Sequence, residues 1–151
     1  MKEILFRGQT RRFGEKVRMN GEKVPSNWVY GGVCHGKGAF SIIYGSMDVE
    51  LEQPTEKHVV YSDTVGQYTG LTDKNGKKIF EGDIVKAQDD VFGSPFCNGI
   101  IGKIIYEEAA FFIETQNIID SQYLFNECAV YEVIGNIHDN PELLKGADDN
   151  E

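Results

Sequence analysis

No run of apolar residues in this 151-residue chain approaches the eighteen or so that would span a bilayer. Its opening, Lys2 and Glu3 followed within a few residues by an Arg-rich stretch, lacks the apolar centre of a signal peptide. Cysteine is scarce and unpaired in number. Cys34, Cys97 and Cys128 are too few and too widely spaced for a disulfide framework. With three histidines scattered elsewhere, they form no Cys-x-x-Cys and no His-x-x-x-His. Basic charge is also short, with 15 Lys and Arg against 24 Asp and Glu, a net charge of −9 and a pI near 4.8. That balance opposes a protein whose affinity rests on neutralising phosphates, and equally one that coats anionic lipid. These absences lead to the expectation of a protein without membrane association, working in a reducing cytosol.

Glycine and β-favouring residues are plentiful. Seventeen glycines punctuate short runs of Val, Ile, Tyr, Phe and Thr, and strands at roughly 8–12-residue spacing predict an all-β architecture. Strands are expected at Ile4–Arg7, Trp28–Tyr30, Phe40–Tyr44, Met47–Leu51, His58–Tyr61, Ile100–Tyr106, Ala110–Glu114 and Val130–Ile137. Asn20-Gly21 predicts a hairpin between Val17–Met19 and Glu22–Val24. Gly31-Gly32 reads as a break and Gly135 as a bulge. Asn117–Glu127 fits helix or strand equally, and Asn140-Pro141-Glu142 opens a short helix with Asn as N-cap. The polar stretch from Glu52 to Lys57 divides an N-terminal β-rich segment, residues 1–57, from a second part over 58–145, before a frayed acidic tail at 146–151. No internal repeat is visible. The expected core is Phe6, Trp28, Ile43, Val65, Tyr68, Leu71, Ile79, Ile84, Val85, Ile101, Ile104, Phe112, Val133 and Ile134.

The centre of the chain is Thr64–Lys86, TVGQYTGLTDKNGKKIFEGDIVK. Asp73-Lys74-Asn75-Gly76 has the chemistry of a tight turn, since Asn and Gly tolerate positive φ and Asp bonds the backbone two residues on. Glu81-Gly82-Asp83 is a second turn, feeding the strand Ile84–Ala87. An exposed Asp73, Lys74 and Asn75 would make a polar binding tip, although turn geometry alone accounts for them.

Catalytic arrangements fail one by one. Cys34 and His35 are neighbours on a strand and point to opposite faces, so they form no nucleophile–base pair. Gly31-Gly32 and Gly36-Lys37-Gly38 fall short of a phosphate-binding loop. Asp89-Asp90 and Glu107-Glu108 read as solvated loop acids. No cofactor or metal is implied, and an enzyme is not expected.

The Thr64–Lys86 stretch is similar to the signature of the YopX family, small proteins of phages and prophages. Ile4-Leu5-Phe6-Arg7-Gly8, Asn27-Trp28-Val29-Tyr30-Gly31 and the ending from Val133 to Leu144 resemble further blocks of the same family in the same order. The resemblance implies a small SH3-like barrel, placed in the C-terminal half after a hairpin-rich N-terminal segment. It implies no catalytic residue. The function expected is a non-enzymatic interaction protein in the cytoplasm of the host bacterium, binding itself, a host protein or a phage protein, with homo-oligomers expected. Its candidate surface comprises Arg7, Arg11, Arg12, Trp28, Tyr30, Asp73, Lys74 and Asn75. The alternative is a single-stranded nucleic-acid module, stacking bases on Trp28, Tyr30, Phe40 and Tyr44 beside Arg7, Arg11, Arg12 and Lys37. Net charge disfavours it. An acidic DNA mimic ranks lower still, because lysines interrupt the acids from Lys74 to Lys86.

Overall fold

The computed structural model of the chain describes residues 3–11, 27–45, 47–48, 53–54, 56–90, 92–93, 96–115, 122–124 and 129–145. The expected hairpin about Asn20-Gly21, the side chains of Arg11 and Arg12, most of Asn117–Glu127 and the acidic tail lie outside the described residues. The protein is mainly β, and the described residues form two larger antiparallel sheets, one two-residue ladder and one short helix. It divides into two compact units, Met1–Tyr68 and Thr69–Glu151.

In the first unit, β1 (Phe6–Arg11), β2 (Asn27–His35) and β3 (Phe40–Tyr44) are joined in order. A small ladder of β4 (Met47–Asp48) and β5 (Gln53–Pro54) then interrupts the chain before β6 (Lys57–Tyr61). A 3-10 turn at Ser62–Thr64 leads into β7 (Gly66–Thr72), which pairs with β1 through Gly66 and Gln67. The strand order is β6-β3-β2-β1-β7. The strand at 57–61, expected to open the second part, thus pairs with β3 and belongs to the first. Gly31-Gly32 does not break β2. A Cβ on Gly31 would stand 1.6 Å from the Tyr44 carbonyl oxygen, so glycine here admits the end of β3. Ile43 and Val60 are fully buried, and Val60 fills the space left open by Gly8 of β1. The Thr64 hydroxyl clasps the turn, accepting the Gln9 N–H at 2.8 Å and donating to the Tyr61 carbonyl at 2.6 Å.

In the second unit, the remainder of β7 pairs with β8 (Lys78–Phe80). Then follow β9 (Asp83–Gln88), β10 (Ile100–Glu107), β11 (Ala110–Glu114), β12 (Gln122–Tyr123), β13 (Val130–Asn136) and the helix α1 (Glu142–Lys145). The order is β12-β11-β10-β9-β13. Both units therefore follow one plan: successive strands pair in turn, and the last lies outside the first. The sequence displays no such repetition, because strand order does not depend on which apolar residues fill each face. Both orders are open among the described residues, with no closed barrel.

The second core gathers Ile79, Val85, Ala87, Phe96, Ile104, Phe111, Ile113, Leu124 and Tyr131. Two expectations are corrected here. Phe112, expected inside, is only half-buried, while its neighbours Phe111 and Ile113 are buried. The run Ala110-Phe-Phe-Ile is apolar on both faces, so alternation alone does not say which parity points inward. Phe96, in a stretch read only as a loop, is fully buried, its ring 6.4 Å from Tyr131 in an edge-on arrangement. The Gly135 bulge is present as a register shift between Val133 and Gly135. Asn140 directs its carboxamide oxygen back to the Asn136 N–H at 3.4 Å, across the turn, where an N-cap would turn toward the helix.

Candidate interaction surface

The residues that carry the central stretch are held by the fold itself. Asp73 is 7% exposed. Its Oδ1 accepts the N–H groups of Asn75 and Lys77, both at 2.9 Å, and its Oδ2 accepts that of Val133 at 3.0 Å. Burial alone would raise its pKa, but these bonds from Val133, Lys77 and Asn75, with the Lys77 charge, outweigh it and hold the carboxyl below 3.8. The Lys74 N–H adds a bond to the Tyr131 carbonyl at 2.9 Å. The β7–β8 turn is thus fastened along the outer edge of β13. Asp83, also buried, accepts the Phe80 N–H at 2.8 Å, and Gly82 between them bonds both Ile104 and Ile137. The C-terminal block is likewise a bonded turn. Asn136 Oδ1 accepts the N–H groups of His138 and Asp139, and its Nδ2 donates to Asp139 at 3.1 Å.

Arg7, the first basic residue of the candidate surface, is 5% exposed and lies with its guanidinium 4.5 Å from the centre of the Trp28 ring. This cation–π stack binds the two to each other, and neither stands out as a free arm. Arg7 and Trp28 are brought together; Asp73, Lys74 and Asn75 form a separate group in the other unit. Lys74 makes an ion pair with Glu132 at 3.1 Å, and both are half-exposed. They line a cleft of about 330 Å³ with Lys86, Gln88, Asp89 and Val130 among others. Its charges are mixed and it holds no row of one sign. Among the described residues, no three His, Cys, Asp or Glu side chains gather as metal ligands.

Tyr30 is where the sequence expectation meets an open surface, at 51% exposure. Register extends this surface. Cys34 lies opposite Ile42, and Ile42 opposite Val59; Phe40 lies opposite Tyr61. Since alternate residues of a strand share a face, Tyr30, Cys34, Phe40, Ile42, Val59 and Tyr61 lie on one side of β2-β3-β6. Phe40 is 53% and Val59 61% exposed, and the Phe40 and Tyr61 rings pack at 5.3 Å. The sequence offers Phe40 as a stacking aromatic, whereas it does not single out Ile42, Val59 or Tyr61. The available signal was that Phe40–Tyr44 is apolar on both faces, unlike a strand with one wet side.

The fold and this surface define a small two-unit all-β protein with an exposed aromatic sheet face. The chain belongs to the YopX protein family, whose model matches residues 33–145. The blocks at Ile4–Gly8 and Asn27–Gly31 precede the matched residues. The crystal structure of protein EF1440 from Enterococcus faecalis is similar at 27% identity, covering 95% of this chain and 99% of that one, with a TM-score of 0.41. No curated protein matches.

Proposed function

We propose that this chain is a non-enzymatic interaction protein of phage or prophage origin, acting in the bacterial cytoplasm through protein–protein contacts made by the aromatic face of β2-β3-β6. One observation carries the reading. Tyr30, Phe40 and Val59 are each more than half exposed on a single sheet face, and large apolar side chains left in water on one face favour a contact surface. Tyr and Phe supply large contact area at low entropic cost, as protein interfaces favour. We further read each sheet as a partly open barrel of SH3-like type. The shared strand order supports this, as does the fastening of the β7–β8 turn to β13 in the second unit.

The nucleic-acid alternative has less support. Arg7 is stacked on Trp28 and buried, and only Lys57 adds a positive charge among the β3 and β6 residues of the face. The test is capture of partners from host lysate by the wild type and by the Tyr30→Ser/Phe40→Ser variant, with and without nuclease. A stoichiometric protein that survives nuclease and is lost with the variant is expected. Recovery of nucleic acid, or capture unaffected by the variant, would overturn the assignment.

A further inference from the structure

Glycine inside a strand forfeits side-chain packing, and elsewhere in this protein its presence has an internal reason. Gly8 and Gly31 admit a neighbouring group closer than a Cβ would allow, and Gly76 holds a turn at φ 79°. Gly32 has neither reason. It lies within β2, its φ is outside the left-handed region, and a Cβ built on it would meet no described atom within 4 Å. It is also exposed. A strand glycine that nothing internal explains marks a place where another molecule approaches closely.

Register shows what surrounds this notch. Gly32 shares the outer side of β2 with Tyr30 and Cys34, the alternate residues before and after it. It lies opposite Tyr44 of β3, and Tyr44 lies opposite Lys57 of β6, so Gly32, Tyr44 and Lys57 form one row across the three strands. Neighbouring strands are ~4.8 Å apart, which sets Lys57 ~10 Å from Gly32 along that row. Lys57 is exposed, and it is the one charged residue that β2, β3 and β6 place on this side. Glu56, its neighbour in sequence, directs its carboxylate to His58 Nε2 at 3.5 Å.

We propose that Gly32 is the seat for an apolar side chain of a partner's peptide segment, and that a carboxylate of the same segment meets Lys57. The floor of the seat is bare backbone, and Tyr30, Cys34 and Tyr44 flank it, which suits an aromatic or branched aliphatic group. Charge selects the acidic companion. The net charge of −9 opposes an acidic segment at long range, but charges beyond ~8–10 Å are screened at physiological salt, so Lys57 decides on this face. A basic segment would set its charge against Lys57 and find no carboxylate on that side. In an extended segment ~10 Å is about three residues, so the pattern recognised is an apolar residue with Asp or Glu about three positions away. This inference deepens the proposed function and rests on it for the use of this face.

The test is selection of a random peptide display library on the full chain. Peptides with that pattern should be enriched, and the affinity of the synthesised consensus should fall at least ~10-fold with Gly32→Val. Valine suits a strand at this backbone conformation, so circular dichroism and the thermal midpoint should show a fold at least as stable as the wild type. Lys57→Glu should reject the acidic consensus and, in a fresh selection, enrich Lys or Arg in its place. Enrichment of no peptide, a consensus without an acidic residue, affinity unmoved by Gly32→Val, a destabilised Gly32→Val, or retention of oligothymidylate and no peptide would overturn the proposal. A consensus lost with Tyr30→Ser/Phe40→Ser but kept by Gly32→Val and Lys57→Glu would refute the seat alone. A peptide that Gly32→Val rejects, with lysate capture unaffected by Tyr30→Ser/Phe40→Ser, would uphold the seat and refute the proposed function alone.

Discussion

Replacing Asp73 tests whether the β7–β8 turn is held to β13 by one carboxylate. In Asp73→Ala three N–H groups lose their acceptor at once. Asn75 and Lys77 are exposed turn residues whose N–H groups can turn to water, so each loss is worth about 0.5–1 kcal/mol. The Val133 N–H is on the ladder and half-buried, and losing a charged acceptor there costs about 1.5–2 kcal/mol. The sum is a loss of about 3 kcal/mol. Asp73→Asn keeps one oxygen for Asn75 and Lys77 but sets an amide N–H against that of Val133, and should cost about 1–2 kcal/mol.

The pH dependence follows from the depressed pKa. A carboxyl with a folded pKa below the unfolded value of 3.8 contributes stability fully at pH well above 3.8, and that contribution is lost as pH falls toward and through the folded value. The gap between wild type and Asp73→Asn should therefore be constant from about pH 6 to 8 and narrow below about pH 4. Urea unfolding followed by circular dichroism, with amide exchange at Val133, measures both. An Asp73→Ala loss below about 0.5 kcal/mol, or a gap that widens on acidification, would refute the clasp.

Three further outcomes are expected. Phe96→Ala, which empties a fully buried site against Tyr131, should cost about 3–5 kcal/mol by the same urea assay. The turn between β10 and β11 holds Glu108 at φ 47° and Ala109 at φ 61°, a conformation suited to Asn-Gly, so Glu108→Asn/Ala109→Gly should stabilise by about 1–2 kcal/mol and raise the thermal midpoint. Gly31→Ala would drive a methyl group into the Tyr44 carbonyl, and fluorescence of Trp28, the sole tryptophan, should report lost structure in the first unit.

Much of the fold was legible. Phe40–Tyr44 and Ala110–Glu114 begin and end where their residue types predict, and Gly135 marks a bulge at a position where a Cβ would meet Asn140 and Leu143. What local pattern could not supply was pairing. Nothing in Lys57–Tyr61 says that its partner is Phe40–Tyr44, and that choice placed the strand in the first unit. The same limit applies to the surface. Turn chemistry explained Asp73, but its bond to Val133, sixty residues away, required the third dimension. Tyr30 was readable as an exposed aromatic, whereas Val59 joins it only through the register of three strands.

The division between the units falls between Tyr68 and Thr69, within the single strand Gly66–Thr72. Its first residues complete the sheet of β1, and its last begin the hairpin with β8. A gene fragment cut at that seam would leave each half with a truncated edge, and a tag inserted there would injure both. Either half should be expressed with the whole of Gly66–Thr72. By the same reasoning, any exchange of halves between related genes has its tolerated breakpoints outside this strand.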